Sequence, residues 1–152
     1  MPDRTLETFF AFFTEIGIIE QLSRALLEAR LPHGFLVSHF SVLNHLIRVQ
    51  DGQTPLVLAR AFQVPKTTMT HTLAVLEKHG LVEMRPNPDD KRSKRVWITA
   101  TGRAFRDDAI AELLPDIERL RHRIDPAHLA QMTPGLEEVR VALDRDRDDP
   151  AR

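Results

Sequence analysis

Apolar residues recur at steps of three and four over residues 6–27, and polar or charged residues fill most of the positions between them. This spacing predicts a long amphipathic helix, which Pro32-His33-Gly34 ends. Farther along the chain the same period predicts more helices, and twice it gives way to the pattern of a short strand. The predicted elements are helices over 37–49, after Thr54-Pro55, over 66–79 and from Gly102 past Leu120, with strands over 81–85 and 95–99.

Prolines divide the C-terminal part of the chain. Pro115 is expected to kink or break the fifth helix, because proline lacks the N–H group that a helix interior needs. Asp125-Pro126 has the residue types of a helix start, and Pro134-Gly135 is expected to divide the helix that follows. Residues 144–152 alternate in charge without an apolar stripe, so we expect them to fray.

The middle of the chain has the order helix, helix, tight turn, helix, strand, polar loop, strand, which predicts a winged helix-turn-helix. Ala59 supplies the small residue that two closely crossing helices need, and Met69, Leu73 and Leu76 form the buried stripe of the second of them. The predicted fold class is mainly α with a small β-hairpin (α+β). Extra apolar positions widen the stripe of the first helix, which is typical of packing against a second chain.

The second helix of this motif has a polar outer face without carboxylates at its start. Its candidate DNA-binding residues are Lys66, Thr67, Thr68, Thr70 and His71. Hydroxyl groups can bond bases or phosphates, and lysine neutralises phosphate. Each threonine alone could instead serve as a cap or a first-turn hydrogen bonder, but the set without Asp or Glu indicates a helix start that approaches phosphates.

The polar loop between the strands carries four cations within five positions, namely Lys91, Arg92, Lys94 and Arg95. At the tip of a hairpin directly after a candidate recognition helix, this cluster predicts a wing that reaches the minor groove of DNA. Asp90 is positioned to hold Arg92 by a charge-assisted hydrogen bond and so to orient it.

Charge is distributed unevenly, although the whole chain has a net charge of −1. Residues 60–106 contain 10 Lys and Arg against 4 Asp and Glu, a net charge of +6 over the segment that includes the candidate recognition helix and wing. The acidic remainder would limit non-specific adhesion to DNA. The near-neutral net charge of the whole chain therefore does not argue against a nucleic-acid partner.

Several other classes of site find little or no support. The chain has no Cys, which excludes disulfides, thiolate zinc ligands and thiol redox sensing. The seven His residues show no HExxH or paired spacing, and no phosphate loop or nucleophile elbow occurs, so we expect no metal, no cofactor and no enzyme. We find no membrane span or targeting signal and expect a cytoplasmic protein.

Taken together, the motifs resemble the MarR family of bacterial transcription regulators over residues 5–145. The matching segments are 58–64, 67–71, 76–82, 88–92 and 96–99, and they include the wing pair Asp90 and Arg92. The resemblance implies an obligate homodimer that binds pseudo-palindromic double-stranded DNA, commonly as a repressor released by a small-molecule effector. It also implies a division into an N-terminal dimerisation helix (1–34), a winged domain (35–100), C-terminal dimerisation helices (101–146) and a frayed tail (147–152).

Some residues depart from the family pattern. Gln63 stands where the turn often has Gly, Pro65 replaces a small polar cap, and His71 stands where Arg is frequent. In this architecture we expect an effector pocket between the dimerisation helices and the winged domain, around Phe12, Ile16, His39 and Phe40. A protein-interaction module that uses its basic face on an acidic protein partner is the alternative function.

Overall fold

The computed structural model describes residues 4–152, and within them the chain forms seven helices and one two-stranded sheet. The elements, in chain order, are α1 (Arg4–Glu28), α2 (Val37–Arg48), α3 (Pro55–Ala61), α4 (Lys66–Lys78), β1 (Val82–Pro86), β2 (Lys94–Ile98), α5 (Ala100–Glu112), α6 (Leu114–Leu120) and α7 (Pro126–Asp148). They form two compact units, one up to Leu113 and the other from Leu114 onward. The predicted fold class is confirmed, and the strands lie within a residue of their predicted bounds.

The first unit is built around one hydrophobic core, to which α2, α3, α4 and both strands contribute. Its members are Val42, Leu43, Leu46, Leu58, Ala59, Met69, Leu73, Leu76, Leu81, Val82, Val96 and Ile98. Ala59 is buried, as its predicted role requires, and so are all three residues of the predicted α4 stripe. This core fixes α4, and with it the candidate recognition surface.

Two threonines start helices of the first unit by capping them. The hydroxyl of Thr54 accepts a hydrogen bond from the N–H of Val57 at 3.3 Å, and that of Thr99 accepts from Gly102 at 3.0 Å. Thr99 also donates to the carbonyl of Gly80 at 2.6 Å, which ties α5 to the turn before β1. Gly102 packs tightly there, since a Cβ atom at this position would lie 2.0 Å from the carbonyl oxygen of Leu81.

The two strands form an antiparallel hairpin in which Val82 pairs with Ile98 and Pro86 with Lys94. Gln53, in the turn before α3, adds an isolated bridge to Val96. This bridge consists of two hydrogen bonds, from Gly52 N to Val96 O at 3.0 Å and from Val96 N to Gln53 O at 2.8 Å. The base of the hairpin is therefore fixed to the helix-turn-helix, and its tip extends away from the core.

The second unit confirms one proline prediction and corrects another. α5 ends at Glu112, and a new helix containing Pro115 begins at Leu114, so the expected break occurs. The expected division at Pro134-Gly135 is wrong, because α7 runs through both residues. Proline removes only one hydrogen bond of a 23-residue helix, and the bonds on either side hold the backbone helical.

The expected fraying from residue 144 is also wrong as far as Asp148, where α7 ends. Ion pairs along the last turns compensate for the missing apolar stripe. Arg140 contacts Asp144 at 3.0 Å, and Arg147 contacts both Asp144 and Asp148 at 3.0 and 2.9 Å. The two pairs that Asp144 makes, with Arg140 and with Arg147, are at helical spacing and favour the helix over the frayed chain.

Candidate nucleic-acid interface

The turn between α3 and α4 has the tight geometry of a helix-turn-helix. Gln63 adopts a φ of +53°, a left-handed conformation that favours glycine, at the position where the family pattern often has Gly. Its side-chain amide donates to the carbonyl of Arg60 at 2.7 Å and partly offsets that cost. Val64 N–H donates to the carbonyl of Ala59 at 3.0 Å and closes the turn.

α4 has a buried inner face and an exposed outer face. Met69, Thr72, Leu73 and Leu76 are buried, and all five predicted contact residues, Lys66, Thr67, Thr68, Thr70 and His71, are exposed. At 100° per residue, the positions within about 70° of the direction opposite the buried stripe are 67, 70, 71, 74, 75 and 78. We call these positions the outer stripe. Ala74 belongs to it, although its small apolar side chain gave no signal of function in the sequence.

Thr68 and Thr70 lie on opposite flanks of α4. Thr68 lines a cavity of about 200 Å³ between α1, α2 and α4, whereas Thr70 lines a depression of about 160 Å³ toward α3 and β1. The sequence prediction treated the two as equivalent. Only the packing of α4 on the core shows that Thr70, and not Thr68, shares the outer stripe with His71.

The first turn of α4 has no side-chain cap. Pro65 occupies the cap position and makes no side-chain hydrogen bond, and the first turn contains no acidic residue. The first N–H groups of a helix lack intrahelical partners and together with the helix dipole favour an anion. Because the first turn of α4 lies beside the outer stripe and has no cap or carboxylate, its N–H groups are able to bind a phosphate.

The wing loop is organised by Asn87, which is buried. Its amide nitrogen donates to the Ser93 hydroxyl at 3.0 Å, and its oxygen accepts from Asp89 N–H at 3.0 Å and from Arg95 Nε at 3.2 Å. Asp89 pairs with the other end of the Arg95 guanidinium at 2.5 Å. Sequence reasoning missed Asn87, although its place in Asn-Pro-Asp is a turn signal.

Asp90 holds Arg92 as predicted from the sequence. Its Oδ1 accepts from the backbone N–H of Arg92 at 2.9 Å and from Nε at 3.2 Å. These two bonds, the backbone one first, hold the pKa of the Asp90 carboxyl below its ordinary value, so it stays charged. The Arg92 side chain is nevertheless 92% exposed, and its guanidinium therefore stands at the tip of the wing and faces solvent.

Asp51 joins the helix-turn-helix to the base of the wing and was also missed. Its Oδ1 accepts from Gly52 N–H at 3.0 Å and from Ile98 N–H at 2.9 Å. Arg103 lies 3.7 Å from its other oxygen. The contact to Ile98 spans 47 residues, so no local sequence pattern could reveal it.

The same arrangement of helices and wing occurs in known transcription regulators. The MarR family pattern matches residues 33–93, which include α2, the helix-turn-helix and most of the wing. The structure of a MarR variant from E. coli shares 26% sequence identity and superposes with a TM-score of 0.70, covering 83% of this chain and 93% of that one. The family pattern and the shared fold confirm the resemblance to MarR-family transcription regulators. They support a DNA-binding regulator and not an enzyme.

Two other solved structures extend this likeness. A MarR variant from E. coli in complex with operator DNA is 25% identical, with a TM-score of 0.67, and covers 87% of this chain and 95% of that one. The regulator BldR from Sulfolobus solfataricus, at 20% identity and a TM-score of 0.74, covers 90% and 97% and shows the same fold.

The four residues expected at an effector pocket have different environments in the structure. Phe12 is exposed on α1, Ile16 and Phe40 are half-buried, and His39 is buried. His39 Nδ1 accepts from Leu36 N–H at 2.8 Å, and burial, followed by the nearby His79, lowers the pKa of its ring. None of the four lines the cavity of about 200 Å³ beside α4.

No cluster of three or more His, Asp or Glu side chains that could hold a metal ion lies among residues 4–152. None of the helices there has the length and apolar character needed to cross a membrane.

Proposed function

We propose that the protein is a homodimeric, sequence-specific repressor that binds a pseudo-palindromic operator and is released by a small-molecule effector. The observation that supports this most strongly is that two exposed elements, α4 and the wing, are held on one core. α4 presents an outer stripe free of carboxylates at its start, and the wing holds Arg92 out toward solvent. The E. coli MarR variant in complex with operator DNA, which has the same fold, supports it further.

In this proposal α4 enters the major groove. Lys66 and the first N–H groups of α4 contact phosphates, and Thr67, Thr70 and His71 face base edges. Arg92, with Lys91 and Lys94 beside it, reaches the adjacent minor groove, where a narrow groove concentrates negative potential. Thr68 lies on the flank toward α2, so it contacts the sugar-phosphate backbone or nothing.

The apolar surface that α1 exposes supports a dimer. Eight of its large apolar side chains are exposed, Leu6 at 70% and Phe10 at 73% among them; the others are Phe9, Phe12, Phe13, Ile18, Ile19 and Leu22. Exposed apolar surface of this extent marks an interaction site, and a second copy of the chain is the occupant that the widened stripe predicts. On α7, Leu129, Met132, Leu136 and Leu143 are exposed as well.

Dimerisation would give the operator its symmetry. Two recognition helices related by a two-fold axis contact half-sites about one helical turn apart, roughly 34–36 Å. The operator is then a pseudo-palindrome, and a single half-site binds poorly because it engages only one winged domain.

Release by an effector follows from linkage if the ligand prefers the dimer conformation that cannot span both half-sites. We place the effector near Phe12, Ile16, His39 and Phe40, where α1 and α2 contribute apolar side chains and one buried imidazole. A ligand there contacts a dimerisation helix and the winged domain at once, and it can change their relative orientation.

The test is selection of bound duplexes from a random library by the purified full chain, followed by fluorescence anisotropy at two salt concentrations. We expect a palindromic consensus, a complex of two chains per duplex by light scattering, and affinity that falls with salt at a log-log slope of about −0.9 per phosphate neutralised. Capture of an acidic protein without any selected consensus would instead favour the alternative interaction module.

A further inference from the structure

A depression of about 160 Å³ lies beside α4, on its flank toward α3 and β1. Its lining consists of Pro55, Thr70, Leu73, Ala74, Glu77 and Met84, contributed by α3, α4 and β1. Thr70 and Ala74 are both exposed and both belong to the outer stripe. The depression is therefore continuous with the surface that faces the major groove in the proposed complex.

The lining is mostly carbon. The hydroxyl of Thr70 donates to the backbone carbonyl of Lys66 at 2.9 Å, so its hydrogen is used within the helix, and the same side chain carries a methyl group. Ala74 adds a second methyl group one turn later. Leu73 is buried and forms the floor, and half-buried Met84 closes the side toward β1.

The charge of the lining disfavours the DNA backbone as occupant. Glu77 is the charged member of the lining, and no cation accompanies it there. A carboxylate beside an apolar surface repels phosphate, whereas the edge of a base is uncharged. Among the base edges of the major groove, only that of thymine carries a methyl group, at C5, and apolar side chains recognise it by contact.

We propose that this depression binds the C5-methyl group of one thymine in each half-site, which makes Thr70 and Ala74 specificity-determining residues. The inference rests on the proposed function, because it requires α4 to lie in the major groove. Beyond that function, the depression determines which base, and which atom of that base, the flank of α4 recognises.

The test replaces each thymine of the selected duplex in turn by deoxyuridine, which removes the C5-methyl group and keeps every hydrogen-bonding group. Affinity of the wild-type chain for each duplex is measured by fluorescence anisotropy. We expect one position per half-site to lose about fourfold, the value of one buried methyl group, and the symmetric double replacement to lose about fifteenfold. The remaining thymines should tolerate the replacement.

Two variants and a matched control assign the effect to the depression. Thr70→Ser removes one methyl group and keeps the hydroxyl that bonds Lys66, and Ala74→Gly removes the other; either should reduce the thymine-to-deoxyuridine ratio at the sensitive position. Thr68→Ser makes the same chemical change on the opposite flank of α4 and should leave that ratio unchanged. Melting temperatures confirm that each variant is folded.

The outcomes distinguish this inference from the proposed function. Sequence-specific binding that is indifferent to every deoxyuridine overturns the inference and leaves the proposed function standing. Sensitivity that persists in full in both Thr70→Ser and Ala74→Gly also overturns it, because another part of the protein then reads the methyl group. Failure to select any duplex overturns both.

Discussion

Replacing Arg92 by alanine tests whether the wing contacts DNA. Its guanidinium is 92% exposed and is held by Asp90, so its removal leaves the core and the loop backbone in place. Each phosphate contact contributes about 0.9 to the log-log salt slope, so a dimer that loses two wing contacts should have a slope smaller by about 1.8. Over a fourfold salt range, the affinity ratio of wild type to variant then changes by about 12-fold.

Fluorescence anisotropy on the selected operator at 50 and 200 mM salt measures this ratio directly. The control is Arg121→Ala, which removes an equally charged, exposed side chain just after α6, far along the chain from the wing. We expect the control to keep the wild-type slope, and both variants to melt at the wild-type temperature. An Arg92→Ala slope equal to that of the wild type would show that the wing does not reach the DNA.

Three further predictions concern the fold that carries the site. Gly102→Ala should destabilise the chain by about 3 kcal/mol in chemical unfolding, because the added Cβ meets the Leu81 carbonyl oxygen at 2.0 Å; unchanged stability would contradict that close approach. Gln63→Gly should be more stable than Gln63→Ala by about 1 kcal/mol. Both variants lose the side-chain hydrogen bond, but only alanine has a Cβ atom that is strained in the left-handed conformation. The reverse order of stability would refute the turn geometry. The pKa of His39 is lowered by burial, so His39 takes up a proton at a higher pH in the unfolded chain than in the folded one. Protonation therefore favours the unfolded chain, and the free energy of unfolding decreases as pH falls below about 6.5. His39→Asn keeps an acceptor for Leu36 N–H and should flatten the loss of stability in thermal melts between pH 7.5 and 5; an unchanged slope would assign that loss to other groups.

The elements of the fold were predictable because their signals are local. Helix period, capping threonines and the hairpin pattern each lie within a few residues, and the core stripe of Met69, Leu73 and Leu76 is as predicted. Pro134 shows the limit of such signals. A proline is a strong local reason to end a helix, yet a single lost hydrogen bond is outweighed by those of the other 22 residues of α7.

The parts of the site that sequence reasoning missed depend on contacts between distant residues. Asp51 bonds Ile98 across 47 positions, and Thr68 and Thr70 differ in role only because α4 packs on one particular face. A polar residue near the start of a recognition helix can be identified from its type. The flank it occupies follows from which neighbours bury the opposite side, and that is a property of the whole core.

The wing shows the same distinction within five residues. Counted by charge, its four cations are equivalent, and each would add to DNA affinity. In the structure Arg95 is only 31% exposed and is held by Asp89 and Asn87, whereas Arg92 is 92% exposed and keeps its guanidinium toward solvent. Arg95 therefore stabilises the loop that presents Arg92, and its own guanidinium is less accessible to DNA. The number of cations in such a motif is an upper bound on its phosphate contacts, because a cation that is partly buried within the loop is less able to reach a phosphate.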